Sequence, residues 1–150
     1  MKSTSEVVEG VRAWAKGAYP LEAGVELLIR QGRAIYSGAP WVYDYGDRVV
    51  VDVDELLEGV GAWSGGEQRV VRIAASLLGG APVDLSEDVA GLDRRNLALV
   101  LAAIAHANGS HEHSVIRYGE DGTPQSFERV PSLYPWLETN LETNSGGVSQ

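Results

Sequence analysis

The sequence predicts an α+β, mostly helical, single domain. Three observations lead there. Four segments open with Ser or Asp followed three residues later by Glu, each just before an apolar run; this is how a helix N-terminus is written in sequence. Residues 41–53 read as a β-hairpin around Gly46-Asp47,. Residues 93–107 read as a helix that is apolar from Leu97 to Ala107 except at His106, and such a helix is expected at the centre of a core. With 150 residues the chain makes about one domain,. We place it at residues 1–135. Residues 136–150 are polar, Gly- and Ser-rich, and expected to be a flexible tail,.

The first helix starts at the box Ser3-x-x-Glu6 and carries an apolar stripe of Val7, Val8, Val11, Trp14 and Ala15 at helical spacing, up to Gly17,. Pro20 opens the second, where its missing N–H costs nothing. Leu21, Val25, Leu28 and Ile29 form its stripe, and Gly32 stops it. In the hairpin, Gly46 supplies the positive φ of a type II′ turn. Alternation then puts Trp41, Tyr43 and Tyr45 on one face with Val50, and Val42, Val49 and Val51 on the other,.

Asp52-x-x-Glu55 starts a short helix with Leu56, Leu57 and Val60. Ser64-x-x-Glu67 starts a longer one that ends at Gly79-Gly80, and Asp84-x-x-Glu87 a short turn closed by Gly91. Asp93 caps the last helix, whose Leu97, Val100, Leu101 and Ile104 are expected to be buried,. A Gly-Glu-Asp-Gly turn follows at 119–122.

Composition excludes several classes. The formal charge is 12 − 21 = −9, which opposes nonspecific nucleic-acid binding through counterion release and a polybasic membrane surface. No direct nucleic-acid contact and no membrane are expected. Without cysteine there is no disulfide, thiol nucleophile, Cys-ligated zinc or iron–sulfur cluster,. No apolar run reaches the ~18 residues of a membrane span, and MKSTSEVVEG lacks a signal-peptide core,. The expected setting is soluble and cytoplasmic. Arg, Gly, Ala and Val are abundant, as in proteins of GC-rich genomes.

Ser64-Gly65-Gly66-Glu67-Gln68-Arg69, with Asp84-Leu85-Ser86-Glu87 and Gly91-Leu92-Asp93 after it, resembles the signature and D-loop region of ABC-type ATPases over residues 64–93. That resemblance implies that Ser64, Gly65 and Gly66 touch a γ-phosphate held by a partner subunit, with Glu87 as the catalytic carboxylate and Asp93 as the D-loop aspartate. A P-loop, however, needs a lysine after glycine. Lys2 and Lys16 are the only lysines and neither follows one, while Ser86 stands at the magnesium aspartate position. The capping-box rule accounts for this start and for the other three alike. The stretch 64–107 is also similar to a family of uncharacterised small proteins of actinobacteria and their mobile elements, which implies no activity.

His106, His111 and His113 lie within eight residues and could supply three imidazoles to a zinc ion,. No other cofactor is expected. Asp44, Asp47, Asp52, Asp54, Glu55 and Glu58 make an acidic stretch suited to a basic partner,. Trp41, Tyr43 and Tyr45, with Asp44 and Asp47, are candidate partner contacts, because exposed rings anchor interfaces; on a strand the same rings also suit a core. Arg94, Arg95 and Asn96 stand where a recognition helix reads bases, at its N-terminal end. The eleven residues that follow are nearly all apolar, so this helix reads as buried and not as a DNA reader,. Gly-x-Ser-x-Gly, Ser-x-x-Lys and His-Glu-x-x-His are missing from the sequence,.

The reading is a non-catalytic, intracellular, acidic binding or regulatory module acting through a protein partner, with a homo-oligomer left open. One alternative is a metal-dependent enzyme built on the histidines. Another is an acidic mimic of nucleic acid that inhibits a basic target.

Overall fold

The structure is a computed structural model and describes residues 1–138. Its elements in chain order are α1 (Thr4–Ala15), α2 (Tyr19–Gln31), β1 (Val42–Asp44), β2 (Val49–Val51), α3 (Val53–Gly59), α4 (Gly65–Gly79), α5 (Leu85–Asp88), α6 (Arg94–Asn108), β3 (Ser114–Tyr118) and β4 (Pro124–Arg129). A single 3₁₀ turn, Ser110–Glu112, joins α6 to β3. The protein is therefore a small, mostly helical α+β domain, as its sequence predicts.

The helix starts are set locally. Ser3 and Ser64 form complete capping boxes with Glu6 and Glu67. Asp52, Asp84 and Asp93 cap α3, α5 and α6 by accepting backbone N–H bonds. Gly32, Gly80 and Gly109 close α2, α4 and α6 in the left-handed conformation, which glycine reaches without strain.

The central helix is α2, and this corrects the expectation for residues 93–107. α2 packs against α1, α4 and α6 and buries Ala23, Gly24, Val25, Leu27 and Leu28. Gly24 is needed there: a Cβ would lie 2.7 Å from Leu78 Cγ and 3.0 Å from the Ala74 carbonyl. α6 forms one side of the domain. It buries Asn96, Leu99, Val100, Ala102 and Ala103. Of the four residues expected inside, only Val100 is buried; Leu97 is half-buried, Leu101 is 38% exposed and Ile104 48% exposed. The inner face of α6 already meets α2 and α4, and no described element covers the outer one.

β1 and β2 pair antiparallel with Val42 opposite Val51, Tyr43 opposite Val50 and Asp44 opposite Val49. The Tyr45 N–H donates to the Arg48 carbonyl at 2.9 Å, and Gly46 at φ +88° makes the two-residue turn. Val49 and Val51 are buried, while Val50 and Tyr43 are half-buried. The hairpin is thus covered fully on one face only.

A second hairpin, β3–β4, turns through the Gly-Glu-Asp-Gly segment and adds two strands to those expected at 41–53. Ile116 faces Phe127 across it. Residues 130–138 then return to the helices as an irregular strap. Trp136, assigned by composition to the tail, packs against the core. Residues 139–150 of the expected tail lie outside the described residues.

Candidate functional site

Two regions collect the residues singled out in sequence. The first lies where the N-terminal half of α2, the end of α6 and the strap meet. His106 sits in the last turn of α6. Its Nε2 is 2.8 Å from Glu22 Oε1, and its Nδ1 accepts the Trp136 indole N–H at 3.1 Å. The proton of a neutral ring therefore belongs on Nε2, facing Glu22. Glu22 also accepts the Gly17 N–H at 2.7 Å. That bond first, and His106 second, hold its carboxyl below the ordinary range.

The 3₁₀ turn folds the chain back at once, so the His111 ring meets His106 edge-on at 5.0 Å between centroids. Its Nδ1 is 2.5 Å from Ser132 Oγ. Burial, and then the neighbouring His106, push the His111 pKa below the usual histidine value of 6.5. Arg30 stacks over Trp136 at 4.9 Å and donates to the Leu137 carbonyl at 2.8 Å. Ser110 Oγ accepts the Leu133 N–H at 2.9 Å.

The three histidines do not converge. His113 precedes the strand that leaves the body and is exposed, whereas His106 and His111 are committed to Glu22, Trp136 and Ser132. Among the described residues no group of three or more His, Asp or Glu is placed to hold a metal. His111 is half-buried, with its Nε2 enclosed.

A cleft of about 410 Å³ opens beside His106, lined by Tyr19, Glu22, Glu26, Arg12 and Lys16. Both nitrogens of His106 are already engaged, so the ring has no lone pair to offer a substrate there. The arrangement fastens the strap. Sequence reasoning missed Trp136 and Glu22. The signal for Trp136 was its type: it is the one tryptophan after residue 63, standing at the head of a polar stretch.

The second region is the first hairpin. Trp41 is 4% exposed and donates its indole N–H to the Ala34 carbonyl at 2.8 Å, between Tyr36 and Trp63. It is a core residue and not a partner contact. Tyr43 is half-buried and donates its hydroxyl to Glu55, which pushes its pKa up to about 12. Tyr45 is exposed and stacks on Tyr43 at 6.3 Å, with the Arg48 guanidinium 5.3 Å from its ring. Asp44 accepts from Lys2 at 2.6 Å and from the Gly46 N–H at 2.9 Å. These two bonds, in that order, hold its carboxyl low and make it a turn-forming residue. Asp47 is exposed at the tip. Of the five expected contacts, Tyr45 and Asp47 are the ones presented to solvent without such commitments.

The ATPase-like stretch behaves as helix punctuation. Ser64 accepts the Glu67 N–H at 3.3 Å, Glu67 accepts the Ser64 N–H at 3.1 Å, and residues 82–84 form no strand.

Sequence reasoning also missed the β3–β4 hairpin as a surface. Phe127 is 77% and Tyr118 62% exposed, with Ile116 between them at 41%. The opposite face carries the Arg117–Glu128 ion pair at 2.9 Å. The available signal was the short β-prone run Val115-Ile116 with Tyr118, just before the Gly-Glu-Asp-Gly turn,. No protein-family model, curated protein or solved structure matches this chain.

Proposed function

We propose that the protein is a non-catalytic binding module, working in the cytoplasm, that acts on a protein partner through the β3–β4 hairpin. One observation carries this reading: the hairpin stands off the helices with Ile116, Tyr118 and Phe127 exposed on it. A lone two-stranded hairpin is marginal in water. A third strand, or a surface laid over the aromatic face, supplies the missing burial. The outer edges of β3 and β4 present backbone donors and acceptors to an extended segment of another protein, a recurring mode of recognition.

The test is capture of partners from cells of the native host on immobilised protein, comparing the parent chain with Phe127→Asp and Tyr118→Ser. Proteins held by the parent and lost with both hairpin variants, yet retained by Tyr45→Ala, are the expected result. Recovery of the same proteins by the hairpin variants would overturn the reading.

A further inference from the structure

We propose that the outer face of α6 is a two-fold contact between two copies of this chain. The surface differs from the hairpin, and the proposal goes beyond the one above.

From Asn96 to Ala107 the only titratable side chain of α6 is His106, and that ring turns to Glu22. The outer face is Leu97, Ala98, Leu101, Ile104 and Ala105, all exposed or half-buried. Other helices of the domain set charges on their accessible sides: Glu9 and Arg12 on α1, Arg72 on α4. An uncharged stripe along an outside helix is the pattern of a buried face.

The stripe is complementary to itself. Set two such helices antiparallel, with Leu101 on the two-fold axis. Positions three and four residues to either side then oppose each other, as an isologous contact requires. Ile104 meets Ala98 of the second copy, and Leu97 meets Ala105. Each large side chain faces an alanine, which lets the helices interdigitate. A groove of about 690 Å³ already lies over the N-terminal half of α6, walled on the strap side by Tyr134 and Leu137. Antiparallel pairing brings Ile104 of the second copy to that half. The strap also widens the contact beyond a single helix, toward the ~800 Å² per copy of a lasting dimer.

Charge gives a separate reason for a second copy. Beyond its cap Asp93, α6 has no acidic residue in its first turn and carries both Arg94 and Arg95 there. Cations at a helix N-terminus oppose its dipole. Arg95 donates to the Arg30 carbonyl, while Arg94 makes no ion pair among the described residues. In the antiparallel pair Arg94 faces Asn108 of the second copy, at the C-terminal carbonyls, where a cation is favoured.

Sedimentation of the full chain over a range of concentrations tests this. A monomer–dimer equilibrium is expected, and it should tighten with added salt, because two copies of charge −9 repel,. Leu101→Asp and Ile104→Asp should each weaken it by about tenfold or more, with the helical circular dichroism kept. Since the chain has no cysteine, Leu101→Cys should form one intermolecular disulfide on mild oxidation, and Ser126→Cys on the hairpin should not. A chain that stays monomeric and does not cross-link through Leu101→Cys overturns the proposal. So does a dimer that survives Leu101→Asp and dissociates with Phe127→Asp, which would transfer self-association to the hairpin.

Discussion

Ser64 opens α4 with one hydroxyl bond to the Glu67 N–H and receives one carboxylate bond in return. Ser64→Ala is expected to lower stability by about 0.5–2 kcal/mol, read from urea unfolding. Mg-ATP should leave the melting temperature of the parent chain unchanged; a clear rise would restore the nucleotide relation of residues 64–93. At Gly24 the expected effect is steric. An added Cβ would press on Leu78 and on the Ala74 carbonyl, so Gly24→Ala should cost about 1–3 kcal/mol, the usual range for overpacking, although alanine is the better helix former. Equilibrium unfolding of that variant decides which effect wins. Arg72 reaches Asp88, which is 3% exposed, through a forked pair at 2.8 and 3.1 Å. Arg72→Met strands a buried carboxylate and should cost about 3 kcal/mol, more than loss of an exposed pair such as Arg117–Glu128.

The strap is the element with a pH dependence of its own. The folded His111 has a pKa below 6.5, chiefly from burial and then from His106. The released strap exposes the ring, which then takes a proton more readily. Stability from this group is therefore full above about pH 6.5 and is lost as the pH falls through the folded value. Glu112 works against the shift and Arg30 with it. On acidification the emission of Trp136, isolated by difference against Trp136→Phe, should change before global unfolding. His111→Gln should remove that early step; an unchanged profile in that variant would exclude the histidine as its cause. The helix starts were legible at this scale because a cap is written within four residues. β3–β4 was less so: its apolar positions are few, Arg117 and Glu128 interrupt them, and no described element packs behind the strands to demand a hydrophobic face.

For the whole molecule, the hydrophobic centre lies along α2, and substitutions should grade by distance from it. Leu28→Ala, at a fully buried position, should lose about 2–5 kcal/mol. Leu101→Ala, at a half-open one, should lose under about 1 kcal/mol in dilute solution. Chemical denaturation of the two variants at low concentration separates them. A sequence cannot make this distinction for α6, because a helix buried all round and one left open on its outer side can show the same uncharged run. Nor do histidine spacings report direction: the turn at Ser110–Glu112 sends His111 back and His113 away.

The tie between Arg30 and Leu137 joins positions 107 residues apart. Chains emerge from the ribosome N-terminus first, at about 5–20 residues per second. α1, α2 and α4 can thus assemble while the guanidinium of Arg30 and the ring of His106 still wait for their last partners. Closing the strap necessarily follows the emergence of these helices, and synthesis halted before Trp136 would leave a helical body with its imidazoles uncovered.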